Sequence, residues 1–209
     1  MVTFVLVHGS FHGGWCWKKV EPLLREAGHE VYTPTLTGLG ERSHLAHPRS
    51  GLGLNVADIV QVLDHEDLQE IVLVGHSYGG LVISGVAEER ADRISELVYL
   101  DGYLPDHGQS AWDITPGGKE TWEQEAEESG AGWLVPPVDP VEVYNVSDPD
   151  DARWLREKME PTPLYTHEEP LHAPHERRKE LPTAYISCRQ YETFHPMARK
   201  AQSEGARYH

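Results

Sequence analysis

The ten residues IVLVGHSYGG, positions 71 to 80, carry an apolar run of β-forming side chains into glycine, histidine and serine, and then into more glycine. Gly75, His76, Ser77, Tyr78 and Gly79 match G-x-S-x-G. With a strand pattern before it and a helical pattern after it, the match has the context of a nucleophile elbow. The chemistry of such a turn is acyl transfer, in which a serine hydroxyl held clear of the backbone attacks a carbonyl carbon. A side chain at position 75 or 79 would collide with its neighbours, and Ser77 itself would carry a strained backbone conformation. Its Oγ would project above the sheet, where the N-terminus of the following helix favours developing negative charge. The plainer reading is a structural turn that contains a serine.

Acyl transfer also needs two donors aimed at the oxyanion, one from the residue after the nucleophile and one from a loop after an earlier strand. The backbone N–H groups of Tyr78 and of Ser10, in VHGSFHGG, fill those places, and the Ser10 hydroxyl stays within reach of a ligand. His8 and His12 border the same loop and are expected to hydrogen-bond within it rather than to move a proton. A serine also needs a histidine to take its proton and a carboxylate to orient that histidine, in the chain order serine, acid, histidine.

Alternating strand and helix patterns supply the frame. Phe4 to Val7 is a short apolar run ending at His8 and Gly9. Trp17, Val20, Leu23, Leu24 and Ala27 follow at helical spacing until Gly28. Val31 and Tyr32 begin a second strand closed by Pro34, and a polar, glycine-rich connection runs on to about residue 54. Val56, Ile59, Val60 and Leu63 form one face of a helix with Asn55 at its N-cap position. Ile71 to Val74 is continuously apolar, as a parallel strand buried on both faces should be. A helix over Leu81 to Ala87 and a strand over Leu97 to Leu100, ending at Asp101, complete a parallel α/β pattern with right-handed crossovers.

Residues 104–181 differ in character. They hold most of the prolines, four of the six tryptophans (Trp112, Trp122, Trp133, Trp154) and the acidic run ETWEQEAEESG. Two weak helical patterns stand near residues 119–129 and 149–159, and no strong strand signal is present. The segment is expected as a cap inserted into a single domain whose core is 1–103 plus 182–209. Its tryptophans either face a substrate pocket or merely pack an insertion whose acids lie in water. Ala184 to Ser187 reads as another strand, Met197 to Ala201 as a helix, and GARYH as the start of a last strand.

Composition narrows the function. Eighteen basic against 34 acidic residues give a formal charge of −16, which opposes binding to nucleic acid or to an anionic membrane surface. No stretch approaches the roughly 18 apolar residues of a membrane helix, and no signal peptide is recognised, so a cytoplasmic protein is expected. Cys16 and Cys188 show neither disulfide nor metal spacing and are expected as small buried hydrophobes. Of the 13 histidines only His167, His172 and His175 cluster, and Pro170 and Pro174 break up that stretch. It reads as an exposed polar loop, with neither metal nor cofactor expected.

Taken together, FVLVHGSFHGGWCW, VGHSYGG, LVYLDGYLP and TAYISC resemble the compact α/β-hydrolase esterases related to plant methylesterases and hydroxynitrile lyases, including bacterial pyrethroid and carbendazim hydrolases. The resemblance covers nearly the whole chain and is weakest in the cap. It implies an α/β-hydrolase fold, a mostly parallel sheet flanked by helices, with its C-terminal strand and helix missing. It also implies Ser77 as nucleophile and Ser10 with Tyr78 as the oxyanion hole. The family acid follows the strand that here reads TAYISC, where Glu192 is the nearest carboxylate; Asp101 occupies the alternative acid position. The family histidine follows the final strand, and the base is therefore expected beyond residue 209, with His209, His107 and His172 as substitutes that no motif supports. The implied activity is hydrolysis of carboxylic esters or carbamates of small apolar or aromatic molecules through an acyl-enzyme, with a homodimer left open. Two other readings compete: a ligand-binding protein on a degenerate hydrolase scaffold, and a hydroxynitrile lyase. Lyases of the family carry a threonine after the first-loop histidine, where this chain has Gly9, so hydrolysis is the expectation.

Overall fold

The structure, a computed structural model, describes residues 1–209 apart from the side chain of Pro116. Its strands are β1 (Thr3–Val7), β2 (Glu30–Tyr32), β3 (Ile71–Ser77), β4 (Ile94–Gly102), β5 (Leu134–Val135), β6 (Thr162–Pro163), β7 (Thr183–Ile186) and β8 (Arg207–Tyr208). Its α-helices are α1 (Glu21–Glu26), α2 (Leu52–His65), α3 (Gly79–Arg90), α4 (Ala111–Ile114), α5 (Lys119–Ser129), α6 (Pro140–Tyr144), α7 (Pro149–Lys158), α8 (Tyr165–Glu168) and α9 (His195–Ser203). Six strands form a parallel sheet in the order β2-β1-β3-β4-β7-β8, which puts β3 inside it with a neighbour on each edge.

Alternation along β1 shows why both faces are covered. Val5 and Val7 join the main core with Leu73, Leu97, Tyr99 and Tyr185 and with residues of α2, α3 and α9. Leu6 points the other way, into a smaller core with Trp17, Val31 and Val74. Val56, Ile59, Val60 and Leu63 of α2 are all buried, and each such side chain contributes about 1.5–3 kcal/mol by leaving water. A third core is built inside the insertion from Ala126, Val135, Met159 and Leu164, and at its centre stands Phe11 from the loop after β1.

Four sequence expectations are corrected. The helix read through Trp17 to Ala27 is a 3-10 turn over Gly14–Lys19 followed by α1. Pro22, without an N–H and with a ring that would strike the carbonyl four residues back, sits in the first turn of α1 instead of inside one long helix. Asn55 is not the N-cap of α2; Gly51 is, and Asn55 lies fully buried one turn inside. Its Nδ2 donates to the Thr37 carbonyl and its Oδ1 accepts from the Tyr78 hydroxyl at 2.9 Å. Cys188 is exposed and Cys16 only half-buried, so neither is the small core residue expected. The insertion contains a two-stranded antiparallel sheet, β5 with β6, whose two-residue strands are too short to leave a periodic signal.

The insertion leaves the sheet after β4 and returns before β7, and these strands are neighbours. Buried Arg178 ties the two ends together: it donates to the Pro105 carbonyl and pairs with Asp106 and with Glu204 behind α9. Lys200 of α9 adds bonds to the Leu104 carbonyl and to Asp106.

If Asn55 were a cap, aspartate would serve there equally well. As a buried link it should not tolerate the charge, so Asn55→Asp is expected to lower unfolding free energy by about 2 kcal/mol or more at pH 7. Urea unfolding measures this directly, and an unchanged midpoint would return Asn55 to the capping role.

Candidate active site

Ser77 ends β3 and holds a left-handed backbone with φ 52°; Tyr78 turns at once into the helical region and α3 begins at Gly79. The crowding that makes this turn tight is measurable. A Cβ on Gly75 would lie 2.5 Å from the Gly79 carbonyl oxygen, and one on Gly79 would lie 2.6 Å from the Val7 oxygen. The loop after β1 passes against the serine, since a Cβ on Gly9 would lie 2.9 Å from Ser77 Cβ. Ser10 and Tyr78 therefore border Ser77 from two sides. Among the described residues neither of their N–H groups has an acceptor within the protein, a buried donor pair of the kind an oxyanion would satisfy.

The nearby histidines are neutral and mostly spoken for. His8 faces the Gly9 carbonyl through Nδ1 at 2.8 Å, so that nitrogen carries the proton, and its Nε2 accepts from the Leu36 N–H at 3.1 Å. Both nitrogens are used inside the fold, and burial pushes the pKa down to about 3. His12 donates from Nδ1 to the Ser10 carbonyl at 2.6 Å, which steadies the loop, and burial lowers its pKa too. His76, between Gly75 and Ser77, is lowered to about 4 by burial. No described histidine is hydrogen-bonded to Ser77 Oγ.

The two candidate acids differ in surroundings. Asp101 is buried with φ 43°, and it is the extra residue in the β3–β4 register, because His76 pairs with Leu100 while Ser77 pairs with Gly102. Its carboxyl accepts from the Cys188 N–H at 3.1 Å, and burial raises its pKa. Glu192 is exposed in the loop after β7, where it opens a 3-10 turn, and no hydrogen bond to its side chain is found among the described residues. Asp101 thus stands one strand from Ser77 and the Glu192 loop two strands away.

His107 and His172 pack edge to face at 5.7 Å on the exposed surface, and the exposed His209 extends β8 along β7 through its backbone. His167 departs from the expected exposed loop: it is 2% exposed, against Tyr78, Tyr103, Trp112 and Trp122. Sequence reasoning missed it because nothing local to residues 164–169 signals burial among aromatic rings from distant elements. Of the cap tryptophans, Trp112 and Trp122 converge there, while Trp154 packs on Trp15. A surface cleft of about 470 Å³ between Tyr32, Pro34, Gln61 and His65 includes none of these residues. Among the described residues no three His, Cys, Asp or Glu side chains converge on a metal position, and no helix is long and apolar enough to cross a membrane.

A profile described as "Alpha/beta hydrolase family" matches residues 4–208. The carbendazim hydrolyzing esterase of Nocardioides sp. (strain SG-4G) is 48% identical over 116 residues, 56% of this chain and 48% of that protein. Methylesterase 1 of Arabidopsis thaliana is 39% identical over 107 residues, 49% of this chain and 40% of that protein. The matched part of the chain thus spans half or less of the length of these relatives. An extracellular alpha/beta-hydrolase from a Paenibacillus species superposes with TM-score 0.86 at 27% identity, covering 100% of this chain and 88% of that one.

The buried histidines give the fold a pH signature. His8 and His167, each with a pKa pushed down by burial to about 3 in the fold, protonate near 6.5 once unfolded. Their contribution is complete above about pH 6.5 and is lost as pH falls from there toward 3, at up to about 1.4 kcal/mol per pH unit for each ring. Urea midpoints should be lower at pH 5 than at pH 7, with a smaller drop in His167→Phe; equal midpoints would mean that these rings accept protons inside the fold.

Proposed function

Because the chain belongs to the alpha/beta hydrolase family, we propose that it is a serine hydrolase that cleaves carboxylic esters, carbamates included, of small apolar or aromatic molecules. The observation that carries this reading is Ser77 itself, held at φ 52° beside two amides, of Ser10 and Tyr78, that have no acceptor among the described residues. Relatives named as a carbendazim hydrolyzing esterase and as methylesterases support the bond type.

In the proposed reaction Ser77 Oγ attacks the carbonyl carbon and its proton passes to a histidine. The oxyanion accepts from the Ser10 and Tyr78 N–H groups. Collapse expels the alcohol, protonated by the same histidine, and leaves an acyl-Ser77; water then attacks the acyl carbon and frees the acid and Ser77. These steps need no metal or cofactor. The reading assigns the base to a histidine outside residues 1–209, because no described histidine is bonded to Ser77. It assigns the orienting carboxylate to Glu192, whose side chain is unengaged, rather than to Asp101, whose carboxyl is occupied in holding the exit of β7 at Cys188. Residues 104–181 act as the cap, with Trp112 and Trp122 toward the substrate.

A fluorophosphonate should label the full-length protein at Ser77, and Ser77→Ala should abolish both labelling and release of p-nitrophenol from short acyl esters. Glu192→Gln should lower kcat by about 10³-fold or more and Asp101→Asn by less than about tenfold, since a lost orienting acid costs about 10⁴ in such triads; the reverse order would make Asp101 the acid. A full-length protein that binds small aromatic esters yet neither labels nor turns over would be a ligand-binding protein on this scaffold.

A further inference from the structure

The protonation state of His167 can be read from the direction of one hydrogen bond. Thr166 Oγ1 lies 2.7 Å from the Pro163 carbonyl, which can only accept, so the single hydroxyl proton is committed there. The 2.9 Å contact between Thr166 Oγ1 and His167 Nδ1 must then take its proton from the ring. Nδ1 carries the N–H and Nε2 the lone pair. Burial keeps the ring neutral, and among the described residues nothing bonds Nε2.

The surroundings of that lone pair connect it to Ser77. Trp122 lies 4.4 Å and Trp112 5.1 Å from the imidazole centroid, Tyr78 is stacked on it at 5.3 Å, and Tyr103 meets it edge-on at 5.9 Å. Tyr78 follows the serine, the Tyr103 N–H donates to the Ser77 carbonyl at 3.1 Å, and Trp122 packs on Phe11 beside Ser10. The indole N–H of Trp112, a residue 8% exposed, is buried with no acceptor. The box beside the nucleophile thus presents an acceptor, His167 Nε2, and a buried donor, Trp112 Nε1, neither of which has a partner among the described residues, and the buried indole N–H costs about 1–3 kcal/mol when left unmet.

We propose that His167 Nε2 and Trp112 Nε1 form an acceptor and donor pair that reads the substrate, so that the pocket selects aromatic acyl compounds with an N–H or O–H beside the scissile carbonyl, secondary carbamates above all, over isosteres that lack that proton. The N–H donates to His167 Nε2, and an oxygen of the same group accepts from Trp112. The assignment deepens the serine hydrolase reading and rests on it for the place of the acyl group.

The test uses full-length Ser77→Ala protein, which separates binding from turnover. Tryptophan fluorescence is titrated with methyl N-phenylcarbamate and with methyl phenylacetate, which has CH₂ where the carbamate has N–H. About tenfold tighter binding of the carbamate is expected, falling to about equal affinities in Ser77→Ala/His167→Phe. No preference in the parent, or one that survives His167→Phe, overturns the proposal. Long-range ¹H–¹⁵N spectra of the Ser77→Ala protein give a measurement free of the second substitution. The Nδ1–H tautomer is expected, with the Nε2 resonance moving on addition of the carbamate and not of the phenylacetate; an Nε2–H tautomer refutes the assignment. A carbamate preference in a protein whose Ser77 never labels defeats the hydrolase reading alone, and a labelled Ser77 without the preference defeats this proposal alone.

Discussion

A serine at φ 52° occupies backbone space that costs a non-glycine residue about 1–3 kcal/mol, and it stays there only because its surroundings leave no other course. β3 is held on one side by β1 and on the other by β4, so the chain cannot rotate before the turn. After the turn α3 starts at once. The Ser77 carbonyl is caught by the Tyr103 N–H, and the carbonyl oxygens of Val7 and Gly79 crowd the glycines on either side. The strain is thus spread over three strands and a helix start, and the result is a serine backbone, and so a Cα–Cβ direction, set before any ligand arrives.

The loop that supplies the second amide is held from the opposite direction. Phe11, itself left-handed at φ 65°, donates its N–H to Thr162 Oγ1 at 2.7 Å and accepts from the Glu160 N–H at 3.0 Å. Its ring sits in the core of the insertion. Ser10 is the next residue back, so its amide is aimed jointly by β1 and by a segment about 150 positions away. The insertion and the loop after β1 share a wall here, so shifting the insertion also shifts the Ser10 loop.

How much of this was legible in the sequence follows from how local each cause is. The strands, α3 and the elbow obey short-range rules of period and sterics, and Ile71–Gly80 displayed them openly. Ser10 and Tyr78 came from the same local logic applied to two loops that parallel pairing of β1 with β3 sets side by side. Asn55 misled because a residue that could cap a helix instead meets Tyr78, 23 positions on. The histidines were least legible. Whether a ring nitrogen gives or takes a proton depends on which carbonyl or hydroxyl it meets, and for His8 one partner is Leu36, 28 positions along. The acid stayed divided between Glu192 and Asp101 because residue order fixes which strand each follows, and not which carboxyl is already occupied.

The knot around Arg178 has a consequence of another kind. By fastening residues 105 and 106 to the place where the chain returns to the sheet, it makes the insertion a closed excursion between adjacent strands. A rearrangement within it leaves the spacing of β4 and β7 in place, because both of its ends are fastened at the sheet. Arg178 therefore works as a clasp, and the sheet keeps its strand order whatever strain the excursion between residues 107 and 177 carries.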